Sequence, residues 1–96
     1  MANRFEQVDE VAGDAISIVL SQTPEGQWAK VFCLKSVHES LVVDRLTEAM
    51  PPKDALSGAV RLANQLKVAI AVVDPNGVWK KEWGELYRES DRQAPP

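Results

Sequence analysis

The 96-residue chain contains one cysteine and one histidine, and its five glycines stand singly. A single cysteine excludes an internal disulfide and gives no sign of an oxidising compartment. Cys33 and His38 are too few, and too differently placed along the chain, for a metal centre built from such ligands. Cys33 lies between Phe32 and Leu34 in a strand-like run, which suits a small buried thiol better than a nucleophile. Scattered glycines supply no phosphate-cradling loop. No cofactor is expected.

Long apolar runs are also missing. The longest, Val68 to Val73, is far below the ~20 residues of a membrane-spanning helix. The opening MANRFEQVDEVAGD offers no apolar segment for a secretion signal, so the expected location is cytoplasmic. Positive charge is not in excess: 11 basic residues face 14 acidic ones, for a net charge of −3. That balance opposes nucleic-acid binding through phosphates, although a local basic patch is compatible with it.

What is present reads as one globular domain, with 45% hydrophobic and 26% charged residues. The expected organisation is a polar N-terminal arm over 1–14, a single domain over 15–88 and a disordered tail over 89–96. Within the arm, Phe5, Val8 and Val11 fit a helical turn, an edge strand or a loose segment.

The run DAISIVL alternates, with Ile16, Ile18 and Leu20 on one face, and so predicts a strand. Pro24-Glu25-Gly26 is turn chemistry, and WAKVFCL is then the return strand of a hairpin. Residues 36–50 fit two structures. Ser36 and Glu39 resemble a capping box before helically spaced Leu41, Val42, Leu46, Ala49 and Met50. LVV is strand-forming, and the strand is preferred because three strands cover a helix better than two.

PPKDALSGAVRLANQLK predicts the main helix, about 52–67. Prolines open it, Asp54 and Lys67 suit its two ends, and Leu56, Ala59, Val60, Ala63 and Leu66 form an apolar stripe. VAIAVV is apolar on both faces and predicts a central strand. Asp74-Pro75-Asn76-Gly77 predicts a hairpin turn, with Asp74 accepting backbone N–H bonds. VWKKEW is then a return strand; Trp79, Trp83, Leu86 and Tyr87 also fit a helix, which Gly84 interrupts. The expected fold class is α+β: an antiparallel sheet of four to five strands in ββ(β)αββ order, with one helix on one face.

PEGQWAKVF followed by PPKDALSGAVRLANQLKVAIAVVDPNG resembles small bacterial β-β-β-α-β domains, including the HicB-like antitoxin domain. Pro52, Asp54, Ala55, Leu56, Ala59 and Ala63 carry the likeness, over roughly residues 15–83. The chain departs from that family by having LKSVHES where a PDLPGC-type loop stands. The resemblance implies the β-β-β-α-β fold and an antitoxin-like regulator.

The paired carboxylates of acid–base catalysis have no visible counterpart, since nothing places Asp44, Glu48 and Asp74 together. The tryptophans form the one informative constellation. Trp28, Lys30 and Phe32 alternate on one strand, and Trp79, Lys81 and Trp83 repeat the pattern on another. With the helix covering Ala29, Val31 and Cys33, both trios are expected on the opposite face. Such a face suits a second copy of the chain or a protein partner, or single-stranded nucleic acid stacked on its rings. Alternatively, the trios turn inward and pack as core. The leading expectation is a small non-catalytic interaction module that self-associates; a nucleic-acid-associated regulator is second and an enzyme third.

Overall fold

The computed structural model describes residues 5–84 and 86–88. The expected tail, 89–96, lies outside the described residues. Six strands and one long helix follow in the order β1 (Phe5–Gln7), β2 (Ala15–Thr23), β3 (Gly26–Cys33), β4 (Arg45–Leu46), α1 (Pro52–Leu66), β5 (Ala69–Val73) and β6 (Leu86–Arg88). The strands form one sheet in the order β4-β3-β2-β5-β1-β6. The fold is α+β with one main helix, as the sequence indicates. The sheet, however, has six strands and is mixed: β1 is parallel to β5 and β6, and β2 is parallel to β5.

The hairpin of β2 and β3 follows the expected alternation. Ile18 lies opposite Val31 and Leu20 opposite Ala29, with Pro24 and Glu25 forming the loop. Gly26 closes it at φ +141°, a backbone region that favours glycine. Ile16, Ile18, Leu20, Ile70 and Val72 are fully buried on the helix-facing side of the sheet. Ala55, Ala59 and Ala63 meet them from α1. Three small residues on that side let the helix axis approach branched side chains closely, which conserves packing density.

The helix begins with Pro51 and Pro52, as expected, and ends at Leu66. Lys67 adopts a left-handed conformation, φ 59° and ψ 47°, and the Val68 amide donates to Ala63 O at 3.1 Å. This is the hydrogen-bond pattern of a Schellman cap, here without its usual glycine. Gly58 is exposed and a Cβ there would meet nothing within 4 Å. Close packing therefore does not account for this glycine. Gly58→Ala should stabilise the domain by about 0.5–1 kcal/mol, read as a higher urea midpoint at unchanged slope.

Two expectations need correction. First, the N-terminal arm does not stand apart from the domain: Phe5–Gln7 lies between β5 and β6 in the sheet. Second, the turn after β5 does not return as a hairpin. β1 occupies the edge of β5 that a return strand would need, with Phe5 opposite Ile70. Residues 78–80 run irregularly, Lys81–Trp83 make a 3-10 turn, and β6 then pairs with the far side of β1.

The 36–50 segment is neither a helix nor a full strand. Lys35–Val37 forms a 3-10 turn, and the Ser36 hydroxyl donates to Gly13 O at 2.7 Å rather than capping a helix. Only Arg45–Leu46 and a bridge at Met50 join β3. Four steps from Leu46 to Met50 face three from Phe32 to Ala29, so the edge carries a bulge. Thr47 fills the gap: its amide donates to Val31 O, and its hydroxyl accepts the Val31 amide at 2.9 Å.

Candidate interaction surface

Register assigns each side chain to a face, because residues directly opposite in a ladder point the same way. Trp28, Lys30 and Phe32 lie opposite Ser21, Val19 and Ser17, while the core residues Ala29, Val31 and Cys33 point at α1. The first trio therefore lies on the face away from the helix, as expected. Trp28 is half-buried, with its Nε1 donating to Thr23 Oγ1 at 3.1 Å; Lys30 is exposed and Phe32 half-buried.

The second trio does not join it. Trp79 packs against Phe5 with ring centroids 5.0 Å apart and planes tilted by 54°, and Trp83 meets Trp79 edge-on at 5.4 Å. Phe5 belongs to the helix-side core, and Trp83 borders a shallow cleft with Leu56, Val60 and Arg61. Trp79 and Trp83 thus extend the core beside α1, over β1, and Lys81 is an exposed residue of the same crossover. The single aromatic face expected from the sequence is divided between two sides of the sheet. The physical reason is the displaced return strand: Trp79 and Trp83 cannot alternate with period two where the chain is irregular and then turns as a 3-10 helix.

Asp74 sets up that crossover. Its carboxylate is buried and accepts the amides of Val78 at 2.7 Å and Trp79 at 2.9 Å. The Trp79 indole then donates to Gly84 O at 2.9 Å. Gly84 has φ +121°, and a Cβ there would lie 3.1 Å from Phe5 Cε2. Lys80 Nζ lies 5.8 Å from the centre of the Trp83 ring, within cation–π range. A cleft of about 560 Å³, lined by Trp79, Lys81, Gly84, Leu86 and Tyr87, opens along this edge.

On the other face, the 8–14 connection covers the centre of the sheet. The Ala12 amide donates to the Oγ of fully buried Ser17 at 2.8 Å. Ala71 lies beside Ser17 in the ladder, so its small side chain leaves room for that connection. Toward β3 and β4 the face stays open. Phe32 lies opposite Leu46, which is 60% exposed, and the adjoining Val42 and Val43 are 84% and 57% exposed.

These three aliphatic residues were not among the sequence candidates. Their signal was present in the strand-forming LVV run, whose place between helix and strand the sequence leaves open. The remaining chemistry is modest. Burial pushes the Cys33 thiol above its ordinary pKa, with the Arg45 guanidinium partly opposing. A thiol held protonated is a weak nucleophile. His38 Nδ1 accepts the Ser40 amide at 3.0 Å, which ties the ring to its own loop. Among the described residues, no group of three His, Cys, Asp or Glu side chains is placed to hold a metal ion.

No family model, curated protein or solved structure matches the chain.

Proposed function

We propose that the chain is a small non-catalytic interaction module that self-associates through the β3–β4 side of its open sheet face. The observation that carries this reading is the concentration of exposed large apolar side chains at this edge of the sheet: Leu46 opposite half-buried Phe32, with Val42 and Val43 just before β4. Trp28 and Lys30 continue the same face along β3. Contiguous exposed apolar groups rimmed by charge favour a protein contact over solvent.

The magnitudes suit a reversible contact. Six valine and leucine side chains, three from each copy, offer on the order of 10 kcal/mol when fully removed from water. Association costs a large share of that, which leaves a weak dimer that forms only at high protein concentration. A nucleic-acid platform is the weaker reading. Lys81 lies in the crossover before β6 rather than on a strand beside Lys30, and four strand spacings separate β3 from β6, roughly 19 Å.

Light scattering across a concentration series tests the proposal. The wild-type chain should reach a dimer mass, and Leu46→Glu should remain monomeric with an unchanged circular dichroism spectrum. A wild-type monomer at every concentration, or a Leu46→Glu dimer as tight as wild type, would overturn it.

A further inference from the structure

The backbone beside β4 carries an unmet preference. Leu41-Val42-Val43 is a strand-forming run, yet residues 41–44 belong to no ladder of the sheet. The Leu41 amide donates to His38 O at 3.1 Å, whereas the amides of Val42 and Val43 make no hydrogen bond within the described residues. A free amide on a β-branched residue at a sheet edge is what an added strand engages, and of these two consecutive amides one partner strand takes only one. Local preference and single-copy structure disagree here, and a partner strand would reconcile them.

We propose that residues 39–45 pair antiparallel with the same residues of a second copy, across a two-fold axis centred on Val42. This rests on the self-association reading above and places the contact at the β4 edge of that face, with Leu46 immediately beyond the ladder. Charge complementarity selects both the occupant and the register. With Val42 opposite Val42, Leu41 falls opposite Val43, Ser40 opposite Asp44 and Glu39 opposite Arg45. The two-fold axis repeats the Glu39–Arg45 pair at the other end of the ladder.

The neighbouring registers lose this match. Pairing Val42 with Val43 sets Glu39 opposite Leu46, and pairing Leu41 with Val42 sets Glu39 opposite Asp44, a like-charge contact. In the single copy Glu39 and Arg45 are both exposed, and neither is ion-paired among the described residues. The Val42 amide and carbonyl exchange bonds with their counterparts, leaving the Leu41 amide on His38 O, while the Ser40 amide exchanges His38 Nδ1 for the carbonyl of Asp44 in the second copy. Val43 bends the chain in the single copy. Pairing straightens that bend, a cost that weakens the contact.

Sedimentation equilibrium on the full chain tests the register with Glu39→Arg and Arg45→Glu. Each variant alone sets two like-charge pairs across the axis and should raise the dimer Kd roughly tenfold. An equimolar mixture of the two should recover wild-type affinity, because each heterodimer contains two Arg–Glu pairs. Misfolding of either variant cannot produce that recovery. Equal affinities for wild type and both variants, or a mixture no tighter than its components, would overturn the register while leaving self-association standing. A wild-type chain that is monomeric throughout would remove both.

Discussion

Asp74→Ala should lower the stability of the domain by about 3 kcal/mol. Two backbone amides lose a charged acceptor, and hydrogen bonds to charged groups contribute about 1.5–3 kcal/mol each. The Val78 side chain is buried and its amide sits 2.7 Å from the carboxylate, so that donor has little access to replacement water. For a chain of this size the loss corresponds to a fall in Tm of roughly 12–24 °C, measurable by calorimetry. Asp74→Asn should fall between the two proteins. Its remaining oxygen can accept one amide, but its NH₂ group meets the other donor. A melting temperature for Asp74→Ala equal to wild type would mean that the carboxylate does not set the crossover.

Trp79→Ala should cost about 2–3 kcal/mol. Complete truncation of a core tryptophan costs about 3–5 kcal/mol, and half-burial at this site reduces the figure. The variant loses the ring against Phe5, the edge contact with Trp83 and the donor to Gly84 O. Trp79→Phe keeps an aromatic ring on Phe5 while removing the indole donor, and so should recover more than half of the loss. Chemical denaturation resolves both. If Trp79→Ala unfolds at the wild-type midpoint, the ring is not part of the core.

Several elements were legible in the residues because local chemistry and tertiary position agree. Alternation in AISIVL, the Pro24-Glu25-Gly26 loop, the proline-led helix and the buried VAIAVV run each appear where the sequence places them. Asp74 also performs the backbone role its turn position suggests. The misread turn after β5 has one cause. Phe5–Gln7 is only three residues long, too short for a periodic signal, yet it takes the edge of β5. That insertion removes the expected hairpin and carries Trp79 and Trp83 over β1, whereas the sheet is mixed because β5, reached through α1, runs parallel to β2.

The interaction surface was legible in part for a related reason. Period two correctly predicted that Trp28, Lys30 and Phe32 share a face away from α1, because the β2–β3 ladder is regular. The same rule failed for Trp79, Lys81 and Trp83, where regular strand structure is absent. Period two does not mark Val42, Val43 and Leu46 because β3 ends at Cys33 and the chain turns over Lys35–Val37, which leaves the strand-forming run at 41–43 without a ladder partner. Sequence pattern alone does not show where a ladder stops.

The division of the aromatic residues between core and contact is best tested by sedimentation equilibrium on Leu46→Glu and Trp79→Ala, both held below their unfolding transitions. The account predicts a monomer for Leu46→Glu and the wild-type dimer mass for Trp79→Ala, despite the lower stability of the latter. A monomeric Trp79→Ala beside a dimeric Leu46→Glu would contradict it and move the contact to the helix side of the sheet.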